Sequence, residues 1–174
     1  GVGTIACQWA KALGATVIGT ASSEEKAAIA RAHGCDYPII YTRENFVERV
    51  REITGGAGVP VAYDSVGAAT FEGTLKSLAR RGLFVSFGNA SGPVPPFAPA
   101  RLQQSGSLFF TRPTMGDYLA TTAELDESAA ALFGVIASGA VKIDIGQTFK
   151  LEEAQRAHEA LEGRETVGAS LLIP

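Results

Sequence analysis

Cysteine is nearly absent: two in 174 residues, with no spacing that suits a disulfide framework or a Cys-rich zinc site. Cys7 and Cys35 therefore read as small buried hydrophobes. Histidine is equally sparse. His33 closes a helix and His158 sits inside another, each without a partner at ligand spacing, so no metal is expected. Basic residues are not in excess either. A net charge of -3 excludes the clustered Lys and Arg that nonspecific nucleic-acid binding requires. No apolar run reaches the ~18 residues of a membrane span and no basic-then-apolar leader stands before the first helix, which predicts a cytoplasmic protein off the membrane. What the chain does have is apolar residues, 46% of the total, enough for a compact domain with a real core.

The first organised stretch is Gly1-Val2-Gly3 leading into a helix from Thr4 to Leu13. A glycine turn before a helix is the form of a pyrophosphate site, where free N–H groups and the helix dipole face the anion. By itself it is a weak signal, because such turns are common and the remaining glycines of the fingerprint are missing. The strand that should precede it is not in the sequence, so the chain reads as a fragment. Next comes a strand over 15–21, then a helix from Lys26 to His33 behind a capping box of Ser22 and Glu25. Strand Tyr37 to Tyr41 follows, then a helix opened by Asn45 and Glu48 with Phe46, Val47, Val50 and Ile53 on one face. Gly55-Gly56-Ala57-Gly58 lacks the Lys and Ser/Thr of a phosphate loop and is a turn. Strand Val59 to Tyr63 runs into Asp64-Ser65-Val66-Gly67, a helix from Phe71 to Ala79 ends at Arg80-Arg81-Gly82, and strand Leu83 to Gly88 closes the series.

Four strand–helix alternations with near-continuous apolar strands predict a doubly wound Rossmann-type α/β fold, a parallel sheet lacking its first strand. Right-handed crossovers put the strand ends at Ser22, Tyr41, Ser65 and Asn89 on one ligand-binding edge. Residues 89–99 carry four prolines and read as a loop before the strand Ser107 to Thr111. As the last strand of its sheet, that strand predicts a homodimer through its edge. Thr121 and Glu124 cap a helix ending at Gly139. From Ile143 onward a strand, a helix from Leu151 to Leu161 and a strand Gly168 to Ile173 leave the doubly wound order, which gives domains 1–142 and a tail 143–174.

The second strand tip offers Thr20-Ala21-Ser22-Ser23 and no acid for ribose hydroxyls, against an NAD site and against a methyltransferase. Lys26 beside these hydroxyls suits either a 2'-phosphate or a solvated helix position paired with Glu24 or Glu25. Asp64 beside Ser65 reads as a loop-ordering carboxylate in preference to a catalytic acid, and Tyr118 lacks the Lys four residues on that a short-chain dehydrogenase needs.

Taken together, Gly1 to Lys11, Ile18-Gly19-Thr20, Tyr63-Asp64-Ser65-Val66-Gly67, Ser86-Phe87-Gly88-Asn89 and Thr111-Arg112-Pro113 resemble the zeta-crystallin-like quinone oxidoreductases. These are zinc-independent members of the medium-chain dehydrogenase/reductase superfamily, and the likeness runs to Ser170-Leu171-Leu172-Ile173-Pro174. The resemblance implies NADPH as hydride donor to a quinone, with its pyrophosphate over Gly1 and Val2. It implies a 2'-phosphate among Ser22, Ser23, Lys26, Tyr41 and Arg164, and a cofactor lying along Val66, Gly88, Asn89, Ala90 and Ser91 with Arg112-Pro113 near the nicotinamide. It supplies no catalytic side chain from this chain, and it assigns the tail to a catalytic domain that lies outside the sequence, without which the fragment is not expected to be active. Losing the central first strand would leave the second and fourth without a common neighbour. The alternatives are an enal or enone reductase on the same scaffold and, from another class, an NADPH-binding crystallin or RNA binder without turnover; the negative charge opposes RNA.

Overall fold

The computed structural model describes residues 1–163 and 165–174. In chain order the helices and strands are α1 (Val2–Ala12), β1 (Ile18–Ala21), α2 (Glu24–Ala32), β2 (Tyr37–Ile40), α3 (Phe46–Ile53), β3 (Val59–Asp64), α4 (Phe71–Ser77) and β4 (Leu78–Ser86). Then follow α5 (Ala100–Gln104), β5 (Phe109–Thr111), α6 (Met115–Tyr118), α7 (Thr122–Ala137), β6 (Ile145–Lys150), α8 (Ala154–Glu162) and β7 (Ala169–Ile173). The strands form three groups, β1-β2, β3-β4-β5 and β6-β7. Pairing is parallel from β3 to β4, from β4 to β5 and from β6 to β7. The fold is α/β with parallel strands, β1-β2 forming a sheet separate from β3-β4-β5.

Local chemistry explains most boundaries. Asn45 caps α3 by accepting from the Val47 N–H at 3.1 Å, while its amide donates to Glu48. Thr121 and Glu124 form a full capping box at α7, backbone to carboxylate at 2.8 Å and backbone to hydroxyl at 3.3 Å. The cap of α2 is Ser23, not Ser22: Ser23 is extended at φ -150 and accepts from the Lys26 N–H. Two other expectations are corrected. Helix α4 stops at Ser77, short of Ala79, and β4 begins at Leu78, with Leu78 opposite Val59 and Leu83 opposite Val61. The extra residues are taken up where Arg81 holds φ 63 and gives its N–H to the Gly106 carbonyl. The proline-rich segment is a loop through Pro99, but a short helix, α5, comes directly after it.

The chain divides into two compact units, Gly1–Pro38 with Ala129–Pro174, and Ile39–Ser128. The core of the second is Phe71, Leu75, Leu78, Phe84 and Leu108, with Phe97 and Phe110 against it. Rings of Phe71 and Phe97 stand 5.0 Å apart and Phe84 and Phe110 5.1 Å apart, in the tilted arrangements aromatic quadrupoles favour. Arg51 fastens this unit from one side: its guanidinium donates to the carbonyls of Gly56, Lys76 and Leu78. In the first unit α1 packs on α2, and the segment after α7 is tied to both. The Gln8 amide makes two bonds to the Lys142 backbone, His33 meets Asp144, and Val141 beside these clasps is buried.

Candidate functional site

In the unit Ile39–Ser128 three strands end side by side, Asp64 opposite Ser86 and Val85 opposite Thr111. Asp64 is buried and organises the turn after β3. Its carboxylate accepts from the Val66 and Gly67 N–H groups at 2.8 and 3.1 Å and from the Thr70 and Thr74 hydroxyls at 2.7 and 2.8 Å. A carboxylate surrounded by four such donors has no lone pair left for substrate chemistry, so the loop-ordering reading holds.

The loop after β4 is laced to the one after β3. Ala90 and Ser91 N–H groups donate to the Ser65 and Val66 carbonyls, and Ala68 N–H donates to the Gly92 carbonyl. The Ser91 hydroxyl donates to Val66 O at 2.7 Å while accepting from Ala69 N–H at 2.9 Å. Gly88 is obligatory here, because a Cβ on it would lie 2.4 Å from the Ser65 carbonyl oxygen. Val66, Gly88, Asn89 and Ser91 thus share one edge, with Gly88's neighbour Phe87 exposed beside them. Arg112, in the turn with Pro113 after β5, reaches the same edge and donates to the Ser86 carbonyl at 2.8 Å. Tyr41 follows the end of β2 and is exposed.

The unit built from the chain ends carries the other residues. Gly1 is the N-cap of α1 with no side-chain cap, and its carbonyl accepts from Thr4 N–H and from the Thr4 hydroxyl. Nothing stands within 4 Å of a Cβ added at Gly3. At the end of β1, Ser22 and Ser23 are half-buried, and Lys26 stands one turn into α2. The Lys26 N–H donates to the Ser23 hydroxyl at 3.2 Å. Arg164 lies outside the described residues. No three His, Cys, Asp or Glu among the described residues gather into a group that could hold a metal ion.

The sequence of residues 1–133 matches the zinc-binding dehydrogenase family. The chain belongs to that family. Within this dehydrogenase family the chain is 55% identical over 176 residues to the quinone oxidoreductase of Salmonella typhimurium. It matches along all of its own length but spans about 54% of that relative. It is 45% identical to a 2-haloacrylate reductase of a Burkholderia species, over 100% of the chain and 53% of the relative. The crystal structure of Escherichia coli quinone oxidoreductase complexed with NADPH superposes with a TM-score of 0.94 and 53% identity, over 100% of this chain and 54% of that one. In open α/β sheets ligands bind outside the carboxyl ends of the strands, and the loops after β3 and β4 stand at those ends.

What sequence reading could not supply was the wiring. The double duty of the Ser91 hydroxyl depends on residues 22 and 25 positions away, and the Arg112 to Ser86 bond spans 26.

Proposed function

We propose that this chain is the NADPH-holding part of an NADPH-dependent quinone reductase. The observation that carries the reading is 53% identity along the whole chain to an enzyme solved with NADPH. Fit is supported by the bare backbone at Gly88 and by Lys26, whose N–H bonds the Ser23 hydroxyl at the start of the helix that follows Ser22-Ser23. Bound NADPH supplies the hydride. Gly1 and Val2 then present the open end of α1 to the pyrophosphate. Ser22, Ser23 and Lys26, with Tyr41 and Arg164, hold the 2'-phosphate by charge-assisted hydrogen bonds. Val66, Gly88 and Asn89 form the floor along the cofactor, Ser91 serves by fixing that floor, and Arg112-Pro113 borders the nicotinamide. The chain contributes no general acid and no zinc ligands.

Residues 143–174 belong with the remainder of the protein, and the wholly apolar Phe109-Phe110 edge of β5 forms a homodimer with its counterpart. The compartment is the cytoplasm. A second reading, reduction of a conjugated alkene acid or enone, is favoured by the Burkholderia relative, named for reducing 2-haloacrylate. Fluorescence titration of the full-length protein should show NADPH binding more tightly than NADH, and equal affinities would remove the 2'-phosphate pocket. Turnover of 1,4-benzoquinone in preference to a 2-alkenal supports the first reading, and the reverse order supports the second.

A further inference from the structure

His33 is held between two acceptors. It is the C-cap of α2, and its side chain is only 15% exposed. Its Nδ1 lies 2.7 Å from the Ile29 carbonyl oxygen, and its Nε2 lies 2.5 Å from the Asp144 carboxylate. A carbonyl oxygen and an ionised carboxylate only accept, so both contacts are hydrogen bonds only when each ring nitrogen carries a proton. The ring that satisfies this place is the imidazolium. The C-terminal end of α2 adds the negative end of its dipole to the same preference.

Asp144 lies between α7 and β6, in a segment fastened three times in succession. Val141 is buried, the Lys142 backbone exchanges two hydrogen bonds with the Gln8 side chain at 2.8 and 3.0 Å, and Asp144 takes His33. The Asp144 carbonyl also accepts from the Ala169 N–H at 3.0 Å, so this residue anchors the start of the β6-β7 pair. The charged and titratable neighbours come from each element around the ring. On α1, Lys11 borders the same cavity of about 420 Å³ as His33 and is neutralised by Asp36 at 2.5 Å. Arg31 stands two residues earlier on α2, the buried Cys35 thiol two residues later, and Lys142 two residues before Asp144.

We propose that His33 and Asp144 form a proton-gated latch that holds the start of the 143–174 tail against the end of α2. With the imidazolium the latch is closed. When the ring gives one proton to solvent, one nitrogen turns a lone pair toward an oxygen and that contact becomes repulsive. The sign follows: the contribution is complete below the ordinary imidazole value of about 6.5 and is lost as pH rises through the point where His33 releases its proton. Val141 and the Gln8 bonds remain, so the segment loosens and does not unfold. The latch is independent of which nucleotide or acceptor the protein takes.

The test is hydrogen exchange by mass spectrometry on the full-length protein at pH 6 and pH 8.5, each rate divided by the intrinsic rate at that pH. The Val66 and Gly67 amides of the other unit serve as reference. Protection of the Val141, Lys142 and Ala169 amides should fall about tenfold at the higher pH, the loss of one charge-assisted bond, while the reference holds. In His33→Gln and in Asp144→Asn protection should be low at both pH values. Equal protection at the two pH values, an equal fall in the reference amides, or a fall that persists in His33→Gln, as titration of Cys35 would give, would each overturn the latch. The wild-type comparison decides the matter even if a variant fails to fold.

Discussion

The two units of the chain differ in what fills them. Between Ile39 and Ser128 the buried apolar side chains include Ile39, Ile40, Phe71, Leu75, Leu78, Phe84 and Leu108, whereas the unit formed from the chain's two ends buries Ala21, Ala27, Cys35, Val141 and Ala157. The second set is small throughout. Each large side chain fully buried contributes about 1.5–3 kcal/mol, and small ones much less. Meanwhile the first unit leaves Val2, Leu13, Phe133, Ile145, Leu151 and Leu161 exposed. The candidate site residues divide the same way. The middle-unit loops are fixed by Asp64, Ser91 and Arg112, while Gly1 opens α1 without a side-chain cap and Lys26 stands in the first turn of α2. Lost packing should therefore register in the middle unit and lost ligand contacts in the unit built from the chain's two ends.

Five perturbations put that contrast at risk. Phe84→Ala removes the ring in contact with Phe71 and Phe110 and should cost about 3–5 kcal/mol, read as a lowered denaturant midpoint for the middle unit. A loss below ~1 kcal/mol would mean the aromatic cluster collapses around the gap. Asp64→Ala strands two backbone N–H groups and two hydroxyls, and about 3 kcal/mol should be lost, with protection of the Val66 and Gly67 amides from hydrogen exchange lost too. Lys26→Ala should leave stability unchanged yet weaken NADPH by about 2 kcal/mol in binding, with NADH unaffected. Parallel losses of both nucleotides would assign Lys26 elsewhere. Ser23→Ala should cost about 1 kcal/mol by uncapping α2, seen as a lower Tm.

The smallest effect lies in acid. The Lys11 ammonium, with help from the Val17 N–H, holds the Asp36 carboxyl below its ordinary value of 3.8. A depressed folded-state value means the pair stabilises above the unfolded value and that this contribution is lost as pH falls through the folded one. The Tm gap between wild type and Asp36→Asn should thus be present at pH 7 and shrink below about pH 4. A gap that widened in acid would reverse the assignment.

Most of the fold was legible because its signals are local. Asn45 and Thr121 announce helix starts with side chains that reach only two or three residues, and Gly34 and Gly139 hold the positive φ that ends helices. Ser22 and Ser23 were inseparable on paper, since either hydroxyl can cap, and backbone angles decide between them. The early end of α4 was hidden because its cause is distant: Arg51, on another helix, captures the carbonyls at the junction, and Arg81 absorbs the extra residues with a left-handed turn that sequence does not favour for Arg. At the site, residue types and order were readable and the lacing was not. Gly88 is the instructive case, a glycine whose reason is the Ser65 carbonyl on a neighbouring loop.

The single guanidinium of Arg51 joins the carbonyl of Gly56, in the turn after α3, to those of Lys76 and Leu78, where a helix becomes a strand. Neither the turn nor the junction can detach without stripping acceptors from the same cation. The two therefore belong to one cooperative opening unit, and a surface loop that would otherwise fray alone is as slow to open as the strand it guards.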